Sequence, residues 1–184
     1  MKRTVAISIS LLLYMVLVLS LSAQREIGHP SFMSPHFSPI VISQNKVFVA
    51  NTPCDTIDIL DAKSGRLLRR IPVGLDPVSL AVRPDGRELW VSNHISDSVS
   101  VIDLDQSKPT FLHVVATVQD IDPETKATRF DEPVGIAFAS NRKAYVALSS
   151  ENKIAVVDVA SRKVTKSLPI RAQDPRAIMV RNER

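Results

Sequence analysis

The chain has 184 residues, 45% of them hydrophobic, 23% charged and only 5% aromatic, with a formal net charge of +4. Cys54 is the single cysteine, which excludes an intrachain disulfide, and no C-x-x-C-H is present to attach a c-type haem. The basic residues are dispersed and aromatics scarce, so the composition argues against a nucleic-acid partner.

In chain order, Met1–Ala23 comes first: basic Lys2 and Arg3, an almost wholly apolar Val5–Leu19, then small residues at Ser20–Ala23. That order predicts a cleaved secretory signal over 1–23, and hence an exported product with no membrane attachment after cleavage. Losing Lys2 and Arg3 lowers the formal charge from +4 to +2. Residues 24–38, rich in Pro, Ser and His, read as an irregular lead-in.

From residue 39 onward a unit repeats. Phe48-Val49-Ala50-Asn51 matches Trp90-Val91-Ser92-Asn93, and Tyr145-Val146-Ala147-Leu148 matches both except at its last position. An Asp follows each aromatic at the same interval (Asp61, Asp103, Asp158), and Asp76-Pro77, Glu132-Pro133 and Asp174-Pro175 open the next unit. A period near 40 with several strands per unit is the signature of a β-propeller blade. The expected fold is therefore all-β, with four-stranded antiparallel blades.

Blade one is placed at 39–75, with strands at Pro39–Ile42, Val47–Ala50, Thr56–Leu60 and Leu67–Val73. Blade two, 76–131, has strands at Val78–Val82, Glu88–Ser92 and Ser98–Ile102 and an outer strand at Phe111–Val118. Its surplus residues, Gln119–Glu132, form an acidic insert with a faint likeness to a calcium loop, lacking the EF-hand Gly and Glu spacing. Blade three is 132–173, and 174–184 begins a fourth with a strand at Arg176–Val180. About three blades make an incomplete ring, because propellers close with four to eight.

Phe48–Asn51, Trp90–Asn93, Tyr145–Leu148, Pro84-Asp85-Gly86 and Val101-Ile102-Asp103 resemble the YVTN-type β-propeller repeats of surface-layer and other exported microbial proteins. The resemblance covers about Pro39–Arg181 and departs from the pattern at Leu148. It implies the N-terminal part of a longer propeller protein. Fold relatives of that family include lactonase-like enzymes and haem- or quinone-binding periplasmic oxidoreductases.

No catalytic, cofactor-binding or metal-ligating motif is evident. His29, His36, His94 and His113 lack metal spacing, and the five glycines form no phosphate cradle. The loop candidates are Asn51, Asn93 and His94. The side of the ring that carries the blade-to-blade links is acidic, and Asp76, Glu132 and Asp174 are expected at its channel mouth. The reading is a non-enzymatic binding or scaffolding module at the cell surface or in the periplasm, taking a protein, small molecule or cation on that face. The alternative is a piece of a propeller enzyme of the lactonase or haem/quinone type.

Overall fold

The structure, a computed structural model, describes residues 34–181. The predicted signal (1–23) and most of the lead-in lie outside the described residues.

Twelve strands form three antiparallel sheets of four. The first contains β1 (Ile40–Ser43), β2 (Lys46–Asn51), β3 (Thr56–Asp61) and β4 (Leu67–Pro72), each paired with the next. The second contains β5 (Pro77–Val82), β6 (Glu88–Asn93), β7 (Ser98–Asp103) and β8 (Val114–Val118). The third contains β9 (Pro133–Ser140), β10 (Lys143–Leu148), β11 (Lys153–Asp158) and β12 (Lys163–Pro169). The three blades do not close a ring.

Two apolar layers hold the blades together, and period-two alternation explains both. Between blades one and two, Phe48, Ile57 and Ile59 meet Leu80, Leu89, Val91 and Ile102. Between blades two and three, Trp90, Val99 and Val101 meet Ile136, Val146, Ala155 and Val157. Strand β6 serves both layers, Leu89 and Val91 facing one way and Trp90 the other, and all three are fully buried. Each such side chain contributes roughly 1.5–3 kcal/mol by leaving water. Trp90 also meets Phe138 edge-on, with centroids 5.2 Å apart. Tyr145, the third aromatic of the repeat, is only half-buried, as are Ile154 and Val156.

Two expected strands differ. The outer strand of blade two begins at Val114, because Phe111–His113 forms turns instead. Asp103 accepts the Thr110 hydroxyl at 2.6 Å, its carbonyl accepts the Leu112 N–H at 2.8 Å, and Leu112 takes a left-handed φ of 58°. Arg176–Val180 forms no strand. An inner strand takes its ladder from the second strand of its own blade, and no such partner occurs among the described residues. The segment nevertheless lies against blade three: a Cβ on Gly135 would meet the Arg176 carbonyl at 2.5 Å, so only glycine admits this approach.

Candidate functional site

Each blade boundary on the acidic side is built by one repeated bond. The side chain between the second and third strands accepts the backbone N–H of the acidic residue that opens the next blade. Asp55 Oδ1 takes Asp76 N–H at 2.8 Å, Asp97 Oδ1 takes Glu132 N–H at 3.0 Å, and Asn152 Oδ1 takes Asp174 N–H at 2.8 Å. All six residues have positive φ, between 47° and 60°. Asp and Asn tolerate that region best among residues with a Cβ, because their short polar side chains bond locally.

These latches place the expected mouth residues in different environments. Asp76 is 1% exposed, and its Oδ2 is buried without a hydrogen bond. Glu132 and Asp174 have half-exposed side chains. Glu132 accepts the Ser149 hydroxyl at 3.1 Å, while Arg176 donates from Nε to Asp174 at 2.9 Å and holds that carboxyl below its usual range.

His94 lies beside the first two. Its backbone N–H donates to the Asp76 carbonyl at 2.9 Å, and its Nε2 stands 4.0 Å from Glu132 Oε2. Its Nδ1 is buried with no hydrogen bond. The other loop candidates end strands and support the fold. Asn51 donates to Asp58 at 3.3 Å. Asn93, fully buried, donates to the Ser98 and Ser100 hydroxyls, and a Cβ on Gly74 would strike it at 2.6 Å. His36 bonds Thr52, and His113 bonds Arg69. His29 lies outside the described residues.

The blade-two insert is a small hairpin closed by an Ile121–Thr128 bridge. Arg129 claims Asp120 at 2.9 Å and Asp122 at 3.5 Å, and Asp122 also caps the turn through Glu124 and Thr125 N–H. Among the described residues, no group of three His, Cys, Asp or Glu side chains is placed to hold a metal ion.

On the opposite side the structure shows a cluster that the sequence did not announce. Glu88, 9% exposed, accepts both Arg162 amino groups, Arg83 at 2.8 Å and the Trp90 indole N–H at 3.0 Å. Arg162 also stacks 5.5 Å from the Trp90 ring centre. The contact ties blade three to blade two across 74 residues of sequence.

Three antiparallel four-stranded blades packed face to face define the fold as a β-propeller of the WD40-type class, with its ring open here. Solved structures agree. Hydrazine synthase of Kuenenia stuttgartiensis aligns with a TM-score of 0.64 and 26% identity, over 84% of this chain and 42% of that one. U3-55K (TM-score 0.62, 18% identity) and the RRP9 WD40 repeats (0.62, 19%) each align over 83% of this chain and 44% of theirs. Antigen Lp49 of Leptospira interrogans serogroup Icterohaemorrhagiae serovar copenhageni (strain Fiocruz L1-130) is 36% identical over 50 residues, 27% of this chain and 11% of that protein. The chain thus spans less than half the length of these structures and about a tenth of the antigen. No family model matches it.

Proposed function

We propose that the chain is an exported, YVTN-type β-propeller binding module that takes a basic group of its ligand on the acidic face at Glu132 and Asp174. The observation that carries this reading is the half-exposed pair Glu132 and Asp174, which open successive blades on one side, with His94 Nε2 4.0 Å from Glu132 Oε2. These carboxylates would draw a positive ligand and speed its arrival in a salt-dependent way. The basic–apolar–small order of Met1–Ala23 supports export, and the repeated Phe48, Trp90 and Tyr145 motifs support the YVTN assignment.

Calorimetric titration of the full-length protein with spermidine tests the acidic face. Saturable binding, weakened about tenfold in the E132Q/D174N double variant, is the expected result. No binding, or binding unchanged in the double variant, would remove the face as a site. Export is tested by N-terminal sequencing of the cellular product, and an intact Met1 on cytosolic protein would exclude it.

A second reading places these blades within a propeller enzyme. The likeness to hydrazine synthase favours it, since the identity there is 26% over most of this chain. A haem or quinone chromophore co-purifying with the native protein, visible by absorption, would select this alternative.

A further inference from the structure

The acidic face also carries an apolar step, at the boundary between blades one and two. Leu75 is 50% exposed and Ile95 is 53% exposed, although both are large aliphatic side chains. They stand on two loops that are locked together. The Leu75 N–H donates to Ser96 Oγ at 3.0 Å, and Ser96 Oγ in turn meets Ser98 Oγ at 3.1 Å. Gly74 lies so close to the second loop that a Cβ there would strike Asn93 at 2.6 Å. These contacts keep Leu75 and Ile95 in a fixed relation to each other.

The repeat does not call for either residue. Leu75 precedes the acid that opens its blade, where the next two units have Asp131 and Gln173. Ile95 occupies a loop position where the neighbouring blades have Pro53 and Ser150. Single exposed aliphatics are ordinary on a protein surface, but two on interlocked loops are no longer scattered singly.

A carboxylate lies alongside. Ile95 follows His94, whose backbone N–H donates to the Asp76 carbonyl at 2.9 Å and whose Nε2 stands 4.0 Å from Glu132 Oε2. Leu75 adjoins Asp76, at the other end of the first of those contacts. The His94 side chain thus stands between the apolar step and the half-exposed Glu132. That arrangement matches a cationic side chain next to a large apolar one. The charge would set orientation and speed encounter, and apolar burial would supply the affinity. A polypeptide offers both groups on neighbouring residues, whereas a polyamine offers the charge alone.

Resting on the reading that Glu132 and Asp174 take a basic group, we propose that the ligand is a protein segment in which a Lys or Arg neighbours a large apolar residue. Its apolar side chain lies on Leu75 and Ile95, and its cation on Glu132.

The test is calorimetric titration of the full-length protein with three probes: spermidine, a blocked peptide of two lysines followed by two leucines, and the same peptide with glycines in place of the leucines. The leucine peptide should bind about tenfold tighter than the glycine peptide. Leu75→Ser with Ile95→Ser should abolish that preference while leaving spermidine binding and the melting midpoint unchanged, since neither side chain belongs to an apolar layer between blades. E132Q/D174N should weaken all three probes. Spermidine binding with no preference between the peptides would overturn this proposal and leave the acidic face standing as a site. A leucine preference that survives Leu75→Ser with Ile95→Ser, or leucine-peptide binding untouched by E132Q/D174N, would overturn it as well. Binding of none of the three would remove both readings.

Discussion

The Asp97 carboxylate accepts the backbone N–H of Glu132 at 3.0 Å, joining the loop of one blade to the first residue of the next. Burial pushes the Asp97 carboxyl up from its usual value; the Glu132 N–H opposes this, and the charges of Asp131 and Glu132 add to it. The sign follows: a carboxyl raised on folding costs stability when ionised, and the cost is relieved as pH falls through the folded value. Asn152 makes the equivalent bond in blade three without a charge. Asp97→Asn should therefore keep the latch, melt at or above the parent at neutral pH and lose the relief on acidification. Asp97→Ala should cost about 1 kcal/mol through the lost hydrogen bond. Denaturant melts decide it, and an Asn variant as unstable as the Ala variant would sink the argument.

Glu88 and Arg162 set the opposite side of the same blade boundary. Removing the carboxylate leaves two guanidinium groups and an indole N–H without their shared acceptor in a largely buried site. Glu88→Ala should cost about 2–3 kcal/mol. Arg162→Lys should cost less, keeping the charge while losing the two-pronged contact. Trp90 is the only tryptophan, so its emission reports both the cluster and global unfolding. Parent-like stability in Glu88→Ala would show that the cluster is incidental.

The hairpin-turn aspartates predict an acid response. Asp61 Oδ1 accepts the backbone N–H and the hydroxyl of Ser64, and Asp158 Oδ1 does the same with Ser161. Ser64 and Ser161, by those bonds, hold both carboxyls below the usual 3.8. Depressed carboxyls stabilise the fold above their unfolded value, and that contribution fades as pH falls below about 4 through the folded values. Carboxyl-carbon titration by NMR should show Asp61 moving back toward its ordinary value in Ser64→Ala, and Asp158 likewise in Ser161→Ala. An unmoved titration in either variant would mean that the backbone N–H alone, and not the hydroxyl, holds the carboxyl down.

Much of the fold was legible because it rests on local rules. Alternation in β6 and β7 tells which residues face each layer, and Asp61, Asp103 and Asp158 mark turns by chemistry that a short stretch of chain contains. Phe111–His113 misled because its apolar side chains suit a strand, while the turn depends on Asp103 accepting Thr110, seven residues on. The insert read as an acidic loop, and its spacing did not show that Arg129 pairs with Asp120 and Asp122. Asp55, Asp97 and Asn152 stand four residues after Asn51, Asn93 and Leu148, so their spacing was visible. Their role was not, because each partner lies in the following blade. Glu88 with Arg162 is the extreme case, since no local pattern links residues 74 apart.

Blade one presents its far face without a neighbour among the described residues. Strand β1 turns Val41 toward blade two and leaves Ile40 at 56% and Ile42 at 72% exposure on the other side. Neighbouring Val47 and Val49 are half-buried and belong to neither apolar layer. A propeller blade ordinarily covers both faces, and exposed apolar sheet surface invites association. The 184-residue chain on its own should therefore self-associate, giving by light scattering a mass above that of one chain. Ile40→Ser with Ile42→Ser should reduce that mass without lowering the melting midpoint, because neither side chain contributes to a buried layer. A compact parent monomer that melts cooperatively would show that this face is tolerated in water. Association unchanged in the double variant would place the contact elsewhere on the molecule.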